Sequence, residues 1–305
     1  MKKTCERKNR LFLLGCLGLL GCLWLSGTPV AFGQGTVAGF PYCETFTDSD
    51  TRATTIYGGD AYMTSGNGDP DGEGVLRLTE AEGDQSGYVY VDVPFSSAYG
   101  IKTSFEYFSY GGNGADGIAF YLFDAAISDD DFRIGGFGGS LGYAQKDEAE
   151  GLKGGYLGIG FDEYGNFSDQ EGGKTGGPGR DAQSVTVRGP ENAGTGPYPY
   201  VDHLNVEEEF GFTIDADRND RPETVADDGY RKVFIDLQPD GNGQFTITVE
   251  MLVTHDDGNI EGEFFTVIDN APFPYDAPEF LKAGFSASTG GSDNYHEIRN
   301  VIIEV

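Results

Sequence analysis

Apolar and polar residues alternate with a period of two along most of this chain, the signature of strands with one buried face. Val75-Leu76-Arg77-Leu78-Thr79 is one such segment. Over residues 101–107, Ile101, Phe105 and Tyr107 share one face, with Lys102, Ser104 and Glu106 on the other. Val233, Ile235 and Leu237 alternate with Phe234 and Asp236. Phe245, Ile247, Val249 and Met251 alternate with Thr246, Thr248 and Glu250. Between these two runs, Pro239-Asp240-Gly241-Asn242-Gly243 supplies a hairpin turn. Residues 117–123 are nearly all apolar, which predicts a strand buried on both faces. Residues 281–288 and 298–305 complete the pattern. No amphipathic helix of about ten or more residues is legible. Many strands, long polar loops and no helices predict an all-β fold, an antiparallel β-sandwich or jelly roll, in a single domain over residues 34–305.

Composition narrows the partners. With 48 Gly, 22 Phe and 17 Tyr in 305 residues, the chain is suited to strands joined by tight turns. Its net charge of −30 repels nucleic acid phosphates and anionic membranes, and favours divalent cations. The N-terminus reads as a targeting segment. Lys2, Lys3, Arg7, Lys8 and Arg10 precede an apolar run at 11–25, and Ala31-Phe32-Gly33 offers small residues for cleavage near Gly33. Residues 1–33 are therefore expected to be a signal peptide. The alternative is a lipoprotein anchored at Cys22, after Leu19-Leu20-Gly21. The apolar run is shorter than the ~20 residues of a membrane span, so no membrane insertion is expected after cleavage. The mature chain is expected to be secreted, periplasmic or at the cell surface. It keeps only Cys43, read as a small buried hydrophobe near the first strand.

The chemistry concentrates in four stretches. Asp162-Glu163-Tyr164-Gly165-Asn166-Phe167-Ser168-Asp169 follows the strand-like run 155–161. Its carboxylates, carboxamide and one backbone carbonyl suit Ca²⁺, which takes about 6–8 oxygen ligands. A second stretch, Gly114-Ala115-Asp116-Gly117, sets a carboxylate at the mouth of an apolar strand. A third, Gly135-Gly136-Phe137-Gly138-Gly139-Ser140-Leu141-Gly142, brings backbone N–H groups within reach of a ligand. In the fourth, Gly284-Phe285-Ser286-Ala287-Ser288-Thr289-Gly290-Gly291-Ser292-Asp293, a strand runs into a polar loop.

The order of these stretches resembles the L-type lectins, which include the leguminous lectins and cargo-receptor lectins, and is most similar to bacterial secreted proteins carrying that domain. The resemblance covers roughly residues 40–305. It implies a concanavalin-like jelly roll and calcium-dependent recognition of glycans, without catalysis. By it, Asp116, Gly139, Tyr164, Asn166, Gly291 and Ser292 would bind sugar, and the peptide before Asp116 would be cis. Calcium would be held by Asp162, the Tyr164 carbonyl, Asn166 and Asp169, with Asp181 as the alternative closing ligand.

Departures from the family pattern carry information. Leguminous lectins place a transition-metal Glu two residues before the first calcium Asp; here that residue is Gly160. The His expected on the next strand is missing from residues 183–187. No transition metal is therefore expected. Asp215-x-Asp217-x-Asn219-Asp220 reads as a solvated acidic loop. Two further readings stay open: a calcium-stabilised adhesive or structural surface module that binds protein, and a glycoside hydrolase on the same fold. Hydrolysis needs two flanking carboxylates. Glu207-Glu208-Glu209 is contiguous and reads as a solvated run whose side chains alternate faces.

Overall fold

The computed structural model describes residues 37–255 and 260–305. The expected signal peptide, its cleavage point and the Cys22 alternative lie outside the described residues.

Sixteen strands run through the described chain: β1 (Tyr42–Glu44), β2 (Thr55–Gly59), β3 (Tyr62–Met63), β4 (Leu76–Thr79), β5 (Ser86–Val91), β6 (Phe95–Ser96), β7 (Ile101–Tyr110), β8 (Gly117–Asp124), β9 (Gly155–Asp162), β10 (Ser184–Arg188), β11 (Tyr200–Asn205), β12 (Arg231–Pro239), β13 (Phe245–Val253), β14 (Glu263–Phe273), β15 (Phe280–Ser288) and β16 (Tyr295–Glu304). They form two antiparallel sheets of eight strands each. One runs β14-β13-β12-β7-β16-β4-β3, with β1 also on β16. The other runs β11-β10-β9-β8-β15-β5-β2, with β6 also on β15. This is the expected sandwich. The Pro239–Gly243 turn closes the β12–β13 hairpin, with Pro239 opposite Phe245.

The inward faces of the two sheets meet in an aromatic core. Phe105 of β7 packs edge-on against Phe161 of β9 at 5.9 Å and Phe285 of β15 at 4.7 Å between ring centroids. The alternation read at 101–107 is thus the burial of one face against the opposite sheet. The second sheet is covered on its outer face as well. Ala119, Tyr121 and Phe123 of β8 pack beneath Phe132, Leu141, Tyr143, Phe167 and Tyr198 from the long loops. The other residues of β8, Ile118, Phe120 and Leu122, face the inter-sheet core. That double burial is why residues 117–123 show almost no polar position.

Two expectations need correction. Glu207, Glu208 and Glu209 are solvated, but they sit in a helical turn, Val206–Phe210, and do not alternate faces. The Asn205 side chain accepts the Glu208 N–H and caps that turn, so local capping overrides a strand reading. Cys43 is only half-buried, because strand alternation turns it to the face opposite the buried Tyr42 and Glu44.

Removing the aromatic bridge between the sheets should be costly. Phe105→Ala is expected to lower the unfolding free energy by about 3–5 kcal/mol, measured by denaturant titration. A loss below about 1 kcal/mol would show that the sheets do not depend on this contact.

Candidate functional site

Four strand ends are brought level at one end of the second sheet. Gly117 of β8 stands opposite Asp162 of β9, and Asp162 opposite Ser184 of β10. Ser288 of β15 stands opposite Gly117. The pairing continues one residue further out. Asp116 N–H donates to the Ser288 carbonyl at 3.2 Å, and Glu163 N–H to the Asp116 carbonyl at 3.0 Å. Register alone therefore places the residue before β8, the loop after β9 and the loop after β15 side by side. The Ala115–Asp116 peptide is cis, as the resemblance implied.

Asp162 is fully buried at the foot of its loop. A carboxylate removed from water needs donors, and the loop turns back to supply them. Gly165 N–H donates to Oδ1 at 2.8 Å and Phe167 N–H to Oδ2 at 2.7 Å. Burial pushes the Asp162 carboxyl up to about 7, against the downward pull of those backbone donors. Ser168 Oγ then donates to the carbonyls of Gly165 and Gly179. The loop is thereby fastened to the Gly-rich segment ahead of β10.

The position where a Glu was looked for is closed by packing. A Cβ on Gly160 would run into the Phe167 ring and lie 2.9 Å from the Leu141 side chain. Phe167 is fully buried there, so the space above β9 is filled with carbon.

Asp116, Gly139 and Asn166 are brought together. The gap between Asp116 and Asn166 is bridged by two consecutive glycines. A Cβ on Gly138 would sit 3.5 Å from Asp116 Oδ2, and one on Gly139 would collide with Asn166 Cβ. The Gly138–Ser140 turn is held to β15 by Ser288 Oγ, which donates to the Gly138 carbonyl at 2.8 Å, and by Ser286 Oγ, which donates to the Leu141 carbonyl at 2.6 Å. Two side-chain oxygens in this cluster are buried without any hydrogen-bond donor: Asp116 Oδ2 and Asn166 Oδ1. Burial pushes the Asp116 carboxyl up to about 6; His296 opposes that rise and Glu163 adds to it.

The remaining expected residues are placed as follows. Tyr164 presents its carbonyl to Arg180 Nε at 2.9 Å, and the Arg180 guanidinium covers the Tyr164 ring at 3.7 Å. Asp169 accepts one long bond on its carboxylate, from Glu171 N–H at 3.3 Å. Asp181 is occupied, with Asn205 Nδ2 at 2.7 Å on one oxygen and His203 Nε2 at 3.1 Å from the other. Gly291 lies at the exposed loop tip with open space around it, and the Ser292 carbonyl accepts from Gly290 N–H. The residue facing the site is Gly290, whose Cβ would sit 3.3 Å from Asp116 Oδ2.

Sequence reasoning missed several participants. Glu163 is buried directly behind Asp116 and gathers Ser109 Oγ, His296 Nε2 at 2.9 Å and Asn294 Nδ2 at 2.7 Å. Asn294 Oδ1 accepts from Gly112 N–H at 2.8 Å, so one carboxamide ties together the loops before β8 and after β15. Asp215, read as solvated, belongs to this cluster. It accepts from Gln183 Nε2 at 3.0 Å and Asn294 Nδ2 at 3.4 Å, and burial, reinforced by Glu163, pushes it up to about 6. Lys146 stands over the Phe137 ring at 4.0 Å, and with Ser140, Lys174 and Glu171 it lines a groove beside Gly139 and Asn166. The Thr289–Asn294 loop also leans on residues 82–85, through Thr289 Oγ1 to the Glu82 carbonyl and Asp84 N–H to the Gly290 carbonyl. Apart from the Lys146–Phe137 pair, these contacts join segments far apart in the chain and carry no local sequence signal.

Asp162, Asn166 and Asp169 carry oxygen donors of the kind a hard divalent cation takes, although no group of three or more His, Cys, Asp or Glu side chains that could hold a metal occurs among the described residues. The unpartnered Asn166 Oδ1 supports that fit, whereas both Asp162 oxygens already accept backbone N–H groups. The Tyr164 carbonyl departs from it, because Arg180 already engages that oxygen.

No family model and no curated protein matches the chain. Solved structures do. A seed lectin isoform of Lotus tetragonolobus superposes with a TM-score of 0.53 at 15% identity, covering 86% of this chain and 96% of its own. Lectin I-B4 of Griffonia simplicifolia, in a metal-free form, gives 0.51 at 18% identity, over 86% and 98%. The exoplasmic/lumenal domain of VIP36, in a Ca²⁺/Man-bound form, gives 0.51 at 17% identity, over 87% and 89%. At these identities the likeness is one of fold, and it agrees with the jelly roll expected from the strand pattern. No helix among the described residues is long and apolar enough to cross a membrane.

The buried carboxylates set the pH response of the metal-free protein. Asp116, Asp162 and Asp215 hold protons more tightly when folded, at about 6, 7 and 6, than at their ordinary 3.8. Between about pH 4 and 7 the folded state therefore binds more protons than the unfolded state, and stability falls as pH rises. In EDTA, the melting temperature is expected to drop from about pH 5 to about pH 8, with a shallower slope in Asp116→Asn. A rising melting temperature over that window would contradict the assignment.

Proposed function

We propose that the chain is a secreted or cell-surface glycan-binding protein whose binding loop is completed by calcium. The observation that carries this reading is the pair of buried, unpartnered oxygens, Asp116 Oδ2 and Asn166 Oδ1, on either side of the Gly138-Gly139 bridge. A buried acceptor without a donor costs about 1–3 kcal/mol. A sugar hydroxyl donating to Asp116 and a cation on Asn166 Oδ1 would remove both costs together. The fold likeness to lectins, one of them described as Ca²⁺/Man-bound, supports the same reading.

In this reading Asp116 accepts from sugar hydroxyls, the Asn166 NH₂ donates, and backbone N–H groups of Gly139 and Gly291 add donors. The Tyr164 ring would cover the apolar face of the sugar, for which the Arg180 guanidinium, 3.7 Å over the ring centroid, would have to move aside. Calcium would be held by Asp162, Asn166 and Asp169. Asp169 is preferred to Asp181 because the Asp181 carboxylate already serves Asn205 and His203. Arg180 would have to leave the Tyr164 carbonyl for that oxygen to join the set. Calcium's contribution is to order the Asn166 and Asp169 side chains before sugar arrives, which lowers the ordering cost of binding.

Binding is favoured over hydrolysis because, of the buried carboxylates Asp116, Asp162 and Glu163 at this end of the sheet, only Asp116 keeps a buried oxygen without a donor, where a glycosidase needs two carboxyl groups flanking the bond. The oxygens of Glu163 are taken by Ser109, His296 and Asn294, and those of Asp162 by backbone donors. Binding to a protein partner is the weaker alternative, since the polar groups converge on a space bridged by two glycines rather than on an open face.

A glycan array in calcium buffer, repeated in EDTA, tests the proposal. Binding is expected in calcium and reduced on chelation; equal binding after full calcium removal would sink the calcium part. Asp116→Ala and Gly139→Ala are each expected to weaken affinity about 10–100-fold, the range for a hydrogen bond to a charged group. Unchanged affinity in both would remove the site from the account.

A further inference from the structure

Beneath the loop lies a cation that the functional reading does not use. Arg188, the last residue of β10, is fully buried. Its guanidinium carries five N–H donors in a planar fork, and each one finds a backbone carbonyl. Nε donates to Phe167 at 2.5 Å. One terminal nitrogen donates to Tyr198 at 2.7 Å and Thr175 at 3.3 Å, and the other to Asp169 at 2.7 Å and Gly176 at 3.2 Å. These carbonyls belong to three segments: the 162–169 loop, the Gly-rich insertion after it, and the stretch before β11. Its partners are carbonyls, so the charge is spent on backbone geometry. The face of the guanidinium also lies toward the Phe167 ring, 5.7 Å from its centroid. Burial pulls Arg188 down to about 10, still well above neutral pH, so it remains charged there; Asp162 and Asp169 act in the opposite direction.

Phe167 and Asp169 bracket the outer half of the loop, and Asn166 precedes them directly. The same loop turns its N–H groups inward to the Asp162 carboxylate. Its carbonyls are thus gathered by a cation and its amides by an anion, both supplied by the chain itself.

We infer that Arg188 is the positioning residue of this loop: a built-in cation that keeps the backbone around Asn166 in its binding conformation when no metal is present. Calcium would then act on the Asn166 and Asp169 side chains over a backbone that is already ordered. The consequence for glycan affinity rests on the reading proposed above; the order of the loop does not.

The test is hydrogen–deuterium exchange of the intact chain in EDTA, without sugar, so that its failure and failure of the glycan reading are separable. In the wild type, the hydrogen-bonded amides of this range, those of Gly165, Phe167, Asp169, Thr175 and Asp181, are expected to stay protected. In Arg188→Lys, which keeps the charge but offers three donors in place of five, they are expected to exchange at least about tenfold faster, while β8 and β15 amides are unchanged. Arg231→Lys serves as a control. It alters another buried arginine, bound to the Thr213, Tyr230 and Thr254 carbonyls, and should leave 165–181 as in wild type. Loss of wild-type protection in EDTA would overturn the proposal even if Arg188→Lys did not fold. So would exchange in Arg188→Lys equal to wild type, or equal acceleration in Arg231→Lys.

Discussion

A carboxylate buried completely at the end of a strand paired on both sides is the constraint from which the site follows. Asp162 has β8 on one side and β10 on the other. It cannot turn to water, so the chain after it must fold back and offer its amides. That turn drops Phe167 onto Gly160 and lifts Asn166 to the rim, beside Gly139. The rest of this end of the sheet responds to the same geometry. Asp116 and Ser288 are held level with Asp162 by the strand register, and Glu163, next in sequence, is drawn inward to His296 and Asn294.

The result is a region dense in buried charge, with each group treated differently. Asp162 is answered by backbone amides, Glu163 by side chains, and Arg188 by backbone carbonyls. Asp116 alone among these carboxylates keeps an oxygen with no donor. Such a residue is costly to the fold and useful to a ligand, and functional sites are where such costs are tolerated. Lys174 adds a further buried cation, pulled down to about 8 by burial and by Arg188. The loop is therefore held from beneath by positive charge and at its base by negative charge, in a chain whose surface is strongly acidic overall.

Much of this was legible in the sequence, for reasons that can be stated. Strand alternation reports local burial, so the β7, β12 and β13 patterns read correctly, and the unbroken apolar run of β8 reported its two covered faces. Asp116, Gly139 and Asn166 stood in short segments whose order carries the resemblance. What was not legible depends on contacts between distant segments. Arg188 ends a strand and looks like an ordinary edge residue; only its partners at 167, 169, 175, 176 and 198 reveal its place. Asp215 sits among acidic neighbours and reads as solvated, yet it is half-buried and accepts from Gln183 and Asn294. Between Gly290 and Gly291 the sequence offers no distinction, and the loop's lean on residues 82–85 decides which one faces Asp116. At Glu207–Glu209 a local cap overrides the strand pattern, and Cys43 takes the outward position between the buried Tyr42 and Glu44.

The central claim is that one sugar and one ion answer the two unpartnered oxygens. A crystal structure of the chain in calcium, with an oligosaccharide selected on an array, tests it most directly. The account predicts a sugar hydroxyl at hydrogen-bond distance from Asp116 Oδ2, with the ion on Asn166 Oδ1. A sugar bound elsewhere, with Asp116 Oδ2 and Asn166 Oδ1 both left without partners, would contradict it.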